Sequence, residues 1–79
     1  MMRFTVEQIF LTDDSGSVTH VRPKETHVVE ADGVDAALNA FLAGHRADLV
    51  GRVQKLPGLE AIATARRARR FFTLHVARA

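Results

Sequence analysis

Apolar and polar residues alternate from the first turn of the chain. Phe4, Val6 and Phe10 share one parity, while Thr5, Glu7, Ile9 and Leu11 share the other, the period of a half-buried strand over about residues 3–12. Gln8 is the one polar residue that interrupts the apolar parity. Asp13-Asp14-Ser15-Gly16-Ser17 then reads as a turn, because Asp and Ser side chains bond nearby backbone and Gly accepts a positive φ. A second strand is predicted from about Val18 to Ala31. Pro23 cannot donate a ladder hydrogen bond, so an interruption is expected there, with Thr26–Glu30 the better half.

The period changes after Ala31. Val34, Ala37, Leu38, Phe41 and Leu42 fall at i, i+3, i+4, i+7 and i+8, which predicts one helix over about residues 33–43. Asp32 is expected as its N-cap, with Asp35 three residues on as a short-armed capping box, and Gly44 as the C′ residue.

Three runs of strand length follow: Asp48–Leu56, Leu59–Arg66 and Arg70–Ala77. Pro57-Gly58 suits the two central positions of a type II turn. Ala61, Ala63, Ala65 and Ala68 are good helix formers, which makes a helix the rival reading of 59–70. The strand reading rests on the alternation of Leu59, Ala61, Ala63 and Ala65 with Glu60, Ile62, Thr64 and Arg66, and on the need of Phe71–Val76 for a pairing partner. The expected fold is a single α+β domain over residues 1–79, ordered β-β-α-β-β-β, with one helix packed on one face of an antiparallel sheet.

That architecture leaves a face uncovered. A helix of this length is about 16 Å long, whereas a five-strand sheet is about 24 Å wide. Phe4, Val6, Phe10, Leu49, Val53, Phe72, Leu74 and Val76 are assigned to the helix side, with Gly51 expected where helix and strand approach closely. The other face then carries Thr5, Glu7, Val50, Arg52, Gln54, Leu56, Thr64 and Thr73 together with Ile9, Leu11, Ile62, Phe71 and His75. It is too apolar for a solvated surface and too polar for a core. Mixed faces of this kind mark a protein interface or a ligand platform, and Ile9, Leu11, Ile62, Phe71 and His75 are the expected self-association face.

Composition sharpens this expectation. A chain of 79 residues buries only about 60% of its unfolded surface, near the lower limit for folding alone. With no cysteine, disulfide and zinc-thiolate staples are excluded, so a second copy becomes the expected source of added stability and a homodimer the expected state. Glu7 falls early in an alternating N-terminus without a signal-peptide apolar run, and no stretch approaches the roughly 20 apolar residues of a membrane span, so a cytoplasmic protein without a membrane partner is expected.

The net charge of +2 conceals an asymmetry. Residues 1–39 carry three basic side chains against seven acidic ones, net −4, and residues 40–79 carry eight against two, net +6. Such a split suits either an anionic partner for the second half or complementarity between two copies.

Arg66, Arg67, Arg69 and Arg70 form the sharpest local feature, since guanidinium forks match phosphate oxygens bidentately. Arg52 and Lys55 extend this candidate anion or nucleic-acid contact. Only Phe71 is available on the open face for base stacking, and the helix carries Asp35 and Asn39 but no basic residue. Nucleic acid or another polyanion would therefore be met through its backbone, with strong salt dependence.

Other chemistry is weakly encoded. His20, His27, His45 and His75 show no paired zinc-ligand spacing, so no metal is expected. The 13–24 segment starts like a calcium loop but has Val18 where glycine is required and Lys24 where a bidentate Glu is required. The glycines at 16, 33, 44, 51 and 58 match no phosphate-binding motif, and Ser15 and Ser17 both lie in the turn. Neither catalytic residues nor a cofactor are expected. The sequence points to a non-enzymatic interaction module, with a nucleic-acid-binding accessory protein as the alternative.

Overall fold

The computed structural model describes residues 1–11 and 24–79. The Asp13–Ser17 turn, the Val18–Pro23 part of the second strand and His20 lie outside the described residues. The described elements are β1 (Met2–Phe10), β2 (Lys24–Ala31), α1 (Val34–Gly44), β3 (Asp48–Leu56), β4 (Glu60–Arg67) and β5 (Arg70–Arg78). The expected α+β order is present, and 60–67 is strand, not helix.

All pairings are antiparallel, and the sheet order is β2-β1-β5-β4-β3. β3, β4 and β5 form the expected meander. β1 is inserted between β5 and β2, which makes β2 and β3 the two edges. The α1 connection therefore joins opposite edges of the sheet, about 19 Å apart at ordinary strand spacing. It leaves β2 at Ala31, beside Met2, and enters β3 at Asp48, beside Arg66. These are diagonal corners, and α1 reaches toward the other two through side chains, Asp35 to Lys55 of β3 and Phe41 and His45 to His27 of β2.

The core lies under that crossing. Ala37, Leu38, Phe41 and Leu42 pack against Phe4, Val6, Phe72, Leu74 and Val76. β4 contributes only the small Ala63 and Ala65, with Ala61 buried beside them.

Both helix ends differ from the sequence expectation. The N-cap is Gly33 in extended backbone, with no side-chain cap bond, and Ala37 N–H donates to its carbonyl at 2.9 Å. Asp32 stands one residue too early to cap, and Asp35 pairs instead with Lys55 at 2.6 Å. Gly44 is the last helical residue, and the left-handed position falls at Arg46, φ 53°. Arg46 N–H donates to Ala43 O at 3.3 Å and Ala47 N–H to Leu42 O at 2.9 Å, the two bonds of a Schellman closure with arginine where glycine is usual.

Gly51 is likewise not a close approach. A Cβ there would meet nothing within 4 Å. The β3–β4 register shifts between Val50 and Gln54, and Gly51 takes φ 77° in that bulge. The bulge interrupts an edge strand, a common way to blunt it against further pairing. At the β3–β4 turn Gly58 takes the expected positive φ, 78°, and Leu59 follows at 60°, so Leu59 belongs to the turn and not to the strand. Among the described residues no helix is long and apolar enough to cross a membrane.

Candidate functional site

The register fixes which side chains share the open face. Ile9 stands opposite Thr73, Glu7 opposite His75, His75 opposite Ile62, and Phe71 opposite Arg66. Phe71, Ile62 and Val50 are each 38% exposed and Val28 is 62% exposed, while Ile9 and Leu11 are half-buried. Leu11 is tied to the sheet by its N–H, which donates to Phe71 O at 3.0 Å. The five residues expected on this face thus share it with two more apolar ones, Val28 and Val50.

Charge on this face is balanced across strands. Lys24 Nζ donates to Glu7 at 2.9 Å, Arg3 lies 4.0 Å from Glu30, and Arg66 stands opposite Asp48 in the ladder. His75 Nε2 lies 2.9 Å from Glu60 Oε1. The hydrogen bond and positive charge of Lys24 hold the Glu7 carboxyl below its ordinary value of 4.5, with His75 adding a smaller pull in the same direction.

The six basic residues grouped along the sequence do not form one patch. Arg67 and Arg70 pair across the two-residue β4–β5 turn and share the parity of Phe72, which sets them on the helix side. Arg66 belongs to the open face and Arg69 to the turn. Lys55 stands opposite Ala61, about 20 Å along β4 from Arg67 at ordinary strand rise, and is engaged by Asp35. Arg52 sits in the β3 bulge.

The corner of the helix side at the C-terminal end of α1 holds a second feature, a cavity of about 300 Å³. Its floor is Gln8, Phe10 and Phe72; Glu25 and His45 line it as well, and Arg67, Ala68 and Arg70 close it from the β4–β5 turn. Phe10 and Phe72 meet at 5.8 Å between ring centroids, and the Arg70 guanidinium lies 5.5 Å above the Phe10 ring.

An aromatic cluster flanks this corner. His45 stacks on Phe41 at 4.0 Å, and the His27 ring meets both edge-on at about 5 Å. His45 Nδ1–H donates to Phe41 O at 3.0 Å, which leaves Nε2 as its available nitrogen. His27 Nε2–H donates to Gln8 Oε1 at 3.2 Å. The polar interruption at Gln8 was visible in the sequence. Its partnership with His27 was not, because it depends on the β1–β2 register. Among the described residues no group of three or more His, Asp or Glu could hold a metal ion.

No family model, curated protein or solved structure matches the chain.

Proposed function

We propose that the protein is a non-enzymatic interaction module that works as a homodimer, two copies meeting through their open sheet faces. The observation that carries this reading is the exposure of Val28, Val50, Ile62 and Phe71 together on the sheet face opposite α1. Five strands of about nine residues offer roughly 700 Å², close to the roughly 800 Å² that each partner contributes to a standard interface. Each basic group on the face has an acidic cross-strand neighbour, so a second identical face meets no field of one sign.

That balance also favours a second copy over a polyanion. The nucleic-acid alternative, through Arg66, Arg67, Arg69 and Arg70, draws less support because these side chains are distributed over both faces and the turn.

Light scattering on a sizing column tests the reading. The expected result is twice the chain mass at low and high salt, with Phe71→Glu and Ile62→Glu reduced to the single-chain mass and their dispersed amide spectra retained. A single-chain mass for the unaltered protein, or an unchanged dimer in both variants, overturns it. Salt-sensitive binding to random-sequence RNA by that single-chain species would favour the alternative.

A further inference from the structure

The cavity on the helix side has no part in that interface, since it opens on the opposite face of the sheet. It lies at the C-terminal end of α1, where the helix's C-cap residue His45 lines it together with Gln8, Phe10, Phe72 and the β4–β5 turn. At about 300 Å³ it stands at the lower end of the range for small-molecule sites.

Its chemistry is specific. The Phe10 ring supplies the accessible aromatic surface, with the buried Phe72 packed against it, and Arg70 is held over Phe10. Two guanidiniums against the single carboxylate of Glu25 leave one formal positive charge with His45 neutral. Gln8 is only 4% exposed, a polar side chain in the apolar row Phe4, Val6, Phe10, and it is oriented by His27. A row of that kind ordinarily closes with an apolar residue, and a buried amide here gives the floor a hydrogen-bonding group beside the rings.

We propose that this cavity binds a small aromatic monocarboxylate, its ring against Phe10 and its carboxylate taken by Arg67 and Arg70. The ring is matched by the apolar floor, and the carboxylate by guanidinium forks. One excess positive charge suits a monoanion, whereas Glu25 on the wall disfavours a polyanion such as a nucleic-acid backbone. The ligand is not consumed, and its site is independent of the dimer face.

Amide correlation spectra of the full chain during titration with benzoate test the proposal. The expected result is saturable shifts confined to Gln8, Phe10, His45, Arg67, Ala68 and Arg70. Benzamide, which keeps the ring without the charge, should bind at least about tenfold more weakly. Arg67→Gln and Arg70→Gln should each lower benzoate affinity by about tenfold, with the spectrum otherwise preserved, and Arg67→Lys should recover only part of it. The proposal is overturned by the absence of localised shifts at about 20 mM benzoate. It is overturned equally by benzamide binding as well as benzoate, or by inorganic phosphate producing the same shifts with the same affinity. Because the readout is local to the helix side, it can fail while the dimer stands, and the reverse.

Discussion

The imidazole of His27, on the edge strand, donates from Nε2 to the Oε1 of Gln8 at 3.2 Å, and this contact lets a polar side chain occupy the core row of β1. The same nitrogen lies 3.6 Å from Glu25. Removing His27 from this part-buried pair leaves the buried Gln8 amide without its partner. His27→Ala is therefore expected to cost about 1–3 kcal/mol, whereas Gln8→Leu, which replaces the amide by an apolar group of similar size, should cost less. Chemical denaturation of both single variants and the double variant gives the coupling. A double variant whose loss equals the sum of the two singles would show that the bond contributes nothing.

Arg46 closes the helix in a left-handed conformation, and Ala68 takes φ 56° at the first position of the β4–β5 turn. Both positions favour glycine because a Cβ is strained there. Arg46→Gly and Ala68→Gly are each expected to stabilise the protein by about 0.5–1 kcal/mol. Additivity is expected if the two sites are independent. Thermal melts check this, and a lowered midpoint in either variant would contradict the strain argument.

Glu7 and Lys24 give a pH dependence with a definite sign. The carboxyl is held below 4.5 in the folded protein, so its contribution is fully present above that value and is lost as pH falls through the lower folded value. Lys24→Met should return Glu7 towards 4.5 in an NMR titration. The stability difference between the two proteins should be largest above pH 4.5 and shrink on acidification. Both side chains are exposed, so the effect is small and screened by salt. An unchanged Glu7 titration in the variant would remove Lys24 as the cause.

Ala63 is 3% exposed and Ala65 fully buried, both within the core cluster under α1. A larger side chain at either position must displace buried neighbours of that cluster. Ala65→Leu should cost about 1–3 kcal/mol through displaced neighbours. Denaturation midpoints test it, and a neutral effect would mean that the corner over β4 can yield.

The fold was legible where local pattern and global role agree. Period-two alternation in β1, β4 and β5 reports directly which side of each strand is buried, because successive side chains point to opposite faces. The same parity assigned Phe71, Ile62 and Ile9 to the open face. The helix was legible from Val34, Ala37, Leu38, Phe41 and Leu42 for the same reason. Its ends were less so: Asp32 and Gly44 are the residue types that caps prefer, but the phase of the helix is set by which residues must face the sheet, and that phase put Gly33 and Arg46 in the cap positions. Gly51 shows the same limit, since a glycine in a strand can signal a bulge or a close approach, and only the β3–β4 register distinguishes them.

By itself, the sequence determined the elements, their order, the two faces of the sheet and the excess of apolar side chains on one of them. Those properties follow from the geometry of a few consecutive residues. Tertiary structure alone decided that β1 lies between β2 and β5, that the α1 connection therefore joins opposite edges, and that Gln8 and Phe10 come together with His45, Arg67 and Arg70 around one cavity. Strand order is a choice among pairings of similar local pattern, fixed by how the whole set buries its apolar faces. No window along the chain contains that information, so the division of one arginine run between a sheet face and a cavity emerges only when the sheet is assembled.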